Sequence, residues 1–184
     1  GNLYHLLHYM MFDPLLPFRV VDLRNSGSIK DELVTGSRNR LMKQVGKPQL
    51  EAGETGTELR HYAAREMVSP LSEAEPSVGI EYWVVLSIRK RKGTIGPRRY
   101  SNDLFVDHRH PVIGTLNGQN QGELTNLVVR RLQLRMVARH IVIRIDASRA
   151  SKGVRTSLFA STREGFKDSR AKGELMRVLQ NKIE

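Results

Sequence analysis

Short runs of apolar residues along the chain predict the strands of a sheet. The clearest run is residues 79–89, in which Ile80, Tyr82 and Val84 share one face while Trp83 lies on the opposite face beside Val85. Because apolar residues on both faces are typical of an inner strand, we expect this strand to be central in its sheet. Three further strands are predicted at residues 18–23, 112–116 and 140–147.

Apolar residues spaced three and four positions apart predict the helices. Pro14 ends the first helix, and Asp168 or Ser169 is expected to cap the last one. The helices are predicted at residues 2–11, 124–134, 154–160 and 169–183. Between them, residues 31–45 are expected to be irregular with a short helix near 38–44, and residues 58–68 favour a weak helix or strand.

Domain organisation follows from the Gly-, Pro- and Ser-rich stretches. We expect one domain over residues 1–184, with a lead-in helix and strand at 1–24 and exposed loops at 46–57 and 69–78. The strand–helix–strand order predicts a mixed sheet in an α/β fold, an α+β sandwich with helices packed mainly on one face.

A polar loop between a strand and a helix is the first candidate for a binding site. The strand at 112–116 stops at Asn117-Gly118, and the amide-rich residues 118–122 follow before the next helix. This layout often presents amides to a ligand, which makes Asn117, Gln119 and Gln121 candidate ligand-binding residues. The same layout also joins a strand to a helix in proteins where nothing binds.

A second candidate lies beyond the strand at 140–147, where a polar turn exposes Arg163. If the strands at 112–116 and 141–146 are parallel neighbours, both polar segments lie at one edge of the sheet. A planar guanidinium at that edge has the geometry to bind a phosphate group.

The charge balance favours an anionic partner. Net charge is +11 with a pI near 10.3. Basic residues concentrate in two stretches, which we take as candidate contacts to a DNA or RNA backbone or, alternatively, as solvated faces. They are Arg89, Lys90, Arg91, Lys92, Arg98 and Arg99 in the first, and Arg130, Arg131 and Arg135 in the second.

Recognisable catalytic chemistry is not found in the sequence. The histidine pairs His5/His8 and His108/His110 each lack a third ligand at a recognised spacing, so we predict no metal site. Without a nucleophile triad or a carboxylate pair, we do not expect an enzyme that acts on its own. The chain has no cysteine and no apolar run of membrane-spanning length, so we expect a soluble, cytoplasmic protein with no membrane partner.

An ordered set of segments resembles a known family. The segments are LNGQNQGEL, LVVRRLQL, HIVIRIDAS and LFASTREGFKDS, preceded by GIEYWVV and by LLHYMMFDPLLPFRVVDLR. Together they resemble the transducer-like second domain of bacterial histidine-kinase/gyrase/heat-shock-chaperone-like (GHKL) ATPases. Residues 30–76 and the basic stretch 89–99 have no counterpart in the resemblance.

The resemblance implies a left-handed βαβ crossover and a role for Arg163 in contacting the γ-phosphate of a nucleotide. ATP and Mg²⁺ would be held by an N-terminal ATP-binding domain of the same parent protein, with no cofactor in this chain alone. The chain would then be part of a longer protein, with a role in DNA repair or defence. Two other hypotheses stay open: a basic nucleic-acid-binding module, and a structural or oligomerisation domain that uses its terminal helices.

Overall fold

A computed structural model describes residues 3–22, 30–43, 56–72, 75–88, 102, 105–161 and 165–182. The helices are α1 (Leu3–Met10), α2 (Gly36–Met42), α3 (Asn126–Arg131), α4 (Lys152–Leu158) and α5 (Arg170–Lys182), and a 3-10 turn spans Pro70–Ser72. The strands are β1 (Phe18–Asp22), β2 (Lys30–Val34), β3 (Gly56–Val68), β4 (Val78–Ile88), β5 (Val112–Leu116), β6 (Gln119–Leu124) and β7 (Ile141–Asp146).

The main sheet has five strands in the order β3-β4-β7-β5-β6, and β1 pairs with β2 in a separate two-stranded sheet. All pairs are antiparallel except β5 and β7, which run parallel with Val112 opposite Ile143 and Thr115 opposite Asp146. The expected mixed sheet in an α+β fold is therefore confirmed. The inner position of β4, between β3 and β7, is confirmed as well.

Both faces of the main sheet are covered. On the first face, Ile141, Ile143 and Ile145 of β7 pack with buried residues of α3, α4 and α5. On the second face, Trp83 and Val142 pack with residues from α2 and the segment that follows α1. Three helices thus share one face, and alternation along β4 and β7 decides which side chains each layer receives.

The prediction of a polar loop at residues 118–122 is wrong. Residues 119–124 form strand β6, which pairs antiparallel with β5 through a two-residue turn at Asn117-Gly118. Both turn residues have positive φ, 49° at Asn117 and 77° at Gly118, as a type I′ hairpin requires. Asn-Gly is the favoured sequence for this turn, because glycine and asparagine adopt that backbone conformation most readily.

Other boundaries also differ from the sequence-based predictions. The short helix expected near 38–44 is confirmed as α2, which begins two residues earlier at Gly36, whereas residues 31–34, expected to be irregular, belong to β2. The helix expected to reach residue 134 ends at Arg131. Gln133 has φ 65°, a left-handed conformation that stops the helix. Of the loop expected at 46–57, residues 46–55 lie outside the described residues, and residues 56 and 57 belong to β3. The loop expected at 69–78 includes the buried residues Pro70, Ser77 and Val78.

Candidate functional site

A buried ionic cluster occupies the second face of the sheet, close to the ends of β5 and β7. Its members, hereafter the ionic cluster, are Asp13, Arg38, Glu81, Arg144 and Asp146. Glu81 and Arg144 lie directly opposite each other on β4 and β7. Their exposed fractions are only 1% and 3%, so both charges lie in the interior.

Arg38 of α2 holds Glu81 in a two-pronged contact. Its Nη2 donates to Oε1 at 2.7 Å and its Nε donates to Oε2 at 3.0 Å. Burial alone would raise the pKa of Glu81, but the hydrogen bonds and positive charges of Arg38 and Arg144 outweigh it and lower the pKa. Glu81 is therefore ionised in the folded protein at neutral pH.

Arg144 is the centre of the ionic cluster. Its Nη1 lies 2.7 Å from Asp13 Oδ2 and 3.1 Å from Glu81 Oε2, and its Nη2 lies 3.4 Å from Asp146 Oδ2. Its Nε donates to Thr115 Oγ1 at 3.0 Å. Two guanidinium groups thus face three carboxylates, an arrangement in which each buried charge has an opposite partner.

The ionic cluster also holds the tip of the β5–β6 hairpin. Asp146 accepts hydrogen bonds from the Ser148 hydroxyl and backbone, and Ser148 Oγ accepts from Asn117 N at 2.8 Å. On the other side of the tip, Asp13 N donates to Gly118 O at 2.9 Å. The tip is therefore held from two sides, by Asp13 and by Ser148. Asp13 and Asp146, the partner of Ser148, both contact Arg144.

The three predicted amide residues are not equivalent in the structure. Asn117 is exposed at the hairpin tip, and Gln119 is half-buried at the start of β6. Gln121 is buried, with an exposed fraction of 7%. The strand therefore turns Gln121 away from solvent, and only Asn117 and Gln119 remain available to a ligand.

Arg163 lies outside the described residues, but the segments on either side of it are described. Phe159 and Phe166 pair across an isolated bridge, and Ala160 N donates to Gly165 O at 3.0 Å. Gly165 packs on Gly122 of β6 so closely that a Cβ on Gly122 would lie 2.5 Å from Gly165 Cα. These flanking residues therefore contact the amide-bearing hairpin directly.

The predicted basic residues fall into two groups. Arg130, Arg131 and Arg135 are exposed on α3 and the connection that follows it. The residues Arg89, Lys90, Arg91, Lys92, Arg98 and Arg99 lie outside the described part of the chain. The stretch from Arg89 to Arg99 follows strand β4 directly in the sequence, since β4 ends at Ile88.

His8 and His110 have structural partners. His8 is buried, and its Nδ1 accepts from Gly36 N at 3.1 Å. His110 Nδ1 lies 3.4 Å from Asp107 and 3.5 Å from Glu123. Burial opposes ionisation of Asp107, but hydrogen bonds from Arg109 and His110 prevail and lower its pKa to about 2. Among the described residues no group of three or more metal-ligating side chains has the arrangement of a metal site.

The ionic cluster is the feature that sequence reasoning missed. Its signal is present: Glu81 and Arg144 interrupt two strands that are otherwise apolar on both faces. A charged residue at such a position must find a buried partner. Asp146 also anchors the loop that follows β7, through its contacts with Ser148.

The chain has no match among known proteins: no protein-family model, no curated protein and no solved structure is similar to it. None of the helices in the described residues combines the length and apolar character required to cross a bilayer.

Proposed function

We propose that this chain is a transducer-like α/β domain that works with an N-terminal ATP-binding domain. In this proposal the chain does not hydrolyse ATP alone. It contributes Arg163 to the terminal phosphate of a nucleotide that the partner domain holds with Mg²⁺, while Asn117 and Gln119 face the same phosphate groups.

The observation that carries the proposal is the packing of Gly165 on Gly122. It brings a residue two positions from Arg163 against the strand that begins with Gln119. The parallel pairing of β5 with β7 supports the same arrangement, because it brings the Asn117 turn to Ser148 at the shared edge. Gly165 and strand β6, which are separate in sequence, are thus neighbours in the fold.

The chemistry assigned to Arg163 is electrostatic. Charge accumulates on phosphate oxygens during phosphoryl transfer, and a planar guanidinium donates two hydrogen bonds to them. Such a group is effective only when it is held in place before the reaction. For Asn117, the anchoring of the hairpin tip by Ser148 and Asp13 supports that requirement, since the tip is held by hydrogen bonds of 2.8 Å and 2.9 Å.

The test compares ATP hydrolysis by residues 1–184 alone with hydrolysis by the same chain joined to the ATP-binding domain encoded with it. We expect no saturable hydrolysis by the chain alone, and activity in the joined protein. Arg163→Ala should lower kcat of the joined protein by roughly 10³-fold, the scale of a phosphate-contacting arginine.

Arg177→Ala is the matched control, because Arg177 is an exposed arginine on α5, a helix that carries none of the proposed phosphate-contacting residues. It should leave kcat unchanged. The proposal is wrong if residues 1–184 hydrolyse ATP with saturation kinetics and Arg163→Ala leaves that rate intact. It is also wrong if no ATP-binding domain is encoded with the chain.

A further inference from the structure

Four arginines lie on one exposed connection, from the end of α3 to the start of β7. They are Arg130, Arg131, Arg135 and Arg139, hereafter the arginine surface, and all four are exposed. The sequence contains no aspartate or glutamate between Glu123 and Asp146. The connection is therefore a continuous stretch of positive charge.

The connection is ordered by its own contacts. Val129, Leu132 and Ala138 point into the core, with exposed fractions of 0%, 6% and 2%. Successive turns are closed by backbone hydrogen bonds, from Leu134 N to Val129 O at 3.2 Å and from His140 N to Val137 O at 2.8 Å. The arginines thus project from a fixed backbone, and less conformational entropy is lost when they bind.

Ion pairing distinguishes Arg130, Arg131 and Arg135 from exposed arginines elsewhere in the molecule. Arg19 lies 3.1 Å from Asp31, and Arg170 lies 2.8 Å from Glu174. Within the part of the chain that the structure describes, no ion pair joins Arg130, Arg131 or Arg135 to a carboxylate. Their charge is therefore available to an external anion.

A large apolar side chain stands among the arginines. Met136 is 91% exposed, and Leu127 of α3 is 56% exposed. A flexible thioether packs readily against irregular surfaces and against aromatic rings. Two apolar side chains are too few for the apolar centre of a protein–protein interface, which favours a partner recognised mainly by charge.

We propose that the arginine surface binds the phosphate backbone of a nucleic acid. Arginine donates two parallel hydrogen bonds to a phosphate, and Arg130, Arg131 and Arg135 supply three such guanidinium groups. Contacts of this kind set affinity and position without reading base sequence. The surface lies where β7 begins, opposite the edge that carries Asn117, so the proposal stands or fails independently of the ATP-linked function.

The test measures binding of residues 1–184 to fluorescein-labelled duplex DNA and single-stranded RNA by anisotropy over a series of salt concentrations. We expect affinity to fall steeply with salt. In the double variant Arg130→Gln/Arg131→Gln, the slope of log K against log salt should decrease in magnitude by about two, one for each arginine that no longer neutralises a phosphate. Met136→Ala should weaken binding without changing the slope.

The matched control is Arg170→Gln/Arg177→Gln, which removes the same net charge from α5. It should leave affinity and slope close to those of the unmodified chain. Equal losses in both double variants would overturn the proposal, because binding would then depend on total charge alone. It would be overturned equally by no binding to either nucleic acid at low salt, or by displacement with polyglutamate at an equal charge concentration, which would indicate an acidic protein partner.

Discussion

Glu81 and Arg144 are charged residues at positions where the sheet otherwise places apolar side chains. Their cost of burial is offset by contacts that leave neither charge alone: Arg38 and Arg144 on Glu81, and Asp13, Glu81 and Asp146 on Arg144. Because these residues come from distant parts of the chain, the ionic cluster specifies how α2, the segment after α1 and the sheet fit together.

Replacement of Arg144 by Met tests this role. The change leaves Asp13 and Asp146 without their main cation, and removal of one partner from a buried ion pair costs about 3–5 kcal/mol. We expect the free energy of unfolding, measured with urea, to fall by about that amount. Arg19→Met is the control: its side chain is 72% exposed beside Asp31, so it should cost less than about 1 kcal/mol. Similar losses in both variants would contradict the assigned role.

At the scale of elements, the β5–β6 hairpin contains one strand that the sequence predicts and one that it does not. Strands β4, β5 and β7 were predicted because their apolar runs are short and regular. The sequence does not predict strand β6, because Gln119, Asn120 and Gln121 have low strand propensity and because Asn117-Gly118 is compatible with the end of a strand as well as with a hairpin turn. The pairing with β5 supplies hydrogen bonds that local propensity does not reveal.

Distant contacts account for the other differences. Gly36 has φ 81°, and its N–H donates to His8 Nδ1, so the junction between β2 and α2 depends on a residue of α1. For the candidate site, the amide residues and the parallel strands were predicted, but the ionic cluster beneath them was not. It is assembled by pairing between strands whose register the sequence does not specify.

Gly118 is the residue on which the hairpin tip depends. A Cβ at this position would overlap the carbonyl oxygen of Asp13, and the φ of 77° disfavours any other residue. Gly118→Ala should therefore lower the free energy of unfolding by at least about 1–2 kcal/mol. Gly173→Ala in α5 provides the contrast, since a Cβ there meets nothing within 4 Å. It should stabilise the protein by about 0.5–1 kcal/mol, measured by the same denaturation. A stabilising Gly118→Ala would refute the contact with Asp13.

For the whole molecule, the two ends of the parallel strands have different chemical characters. The end that carries Asn117 lies above a buried ionic cluster with more carboxylates than guanidinium groups. The end where β7 begins carries the arginine surface and no nearby carboxylate in sequence. The arginine surface therefore lies at the opposite end of the parallel strands from the edge at which amides and Arg163 are proposed to act.

The stability of the whole fold is expected to depend on pH through His8. Burial lowers the pKa of His8, with a smaller contribution from the charge of Arg40. Below about pH 6.5, the ordinary histidine pKa, the unfolded chain binds a proton that the folded chain resists. The free energy of unfolding should therefore decrease as pH falls from about 7 towards 5.

Two variants separate this effect from other titrations. His8→Asn retains an acceptor for Gly36 N–H but does not titrate, so the pH dependence should become flatter. Glu32→Gln removes a carboxylate 3.6 Å from His8 Nε2 that raises the pKa of His8, so it should make the dependence steeper. Thermal melts over this pH range provide the measurement, and an unchanged pH dependence in His8→Asn would rule out His8 as the cause.

The irregular pairing of β3 has a consequence for the behaviour of the protein at high concentration. This outermost strand is 13 residues long, and its register against β4 shifts twice, between Leu59 and His61 and between Ala63 and Glu66. Such bulges increase local twist and break the straight row of N–H and C=O groups that a second molecule needs for strand addition. The long edge strand β3 is therefore a poor template for fibril growth.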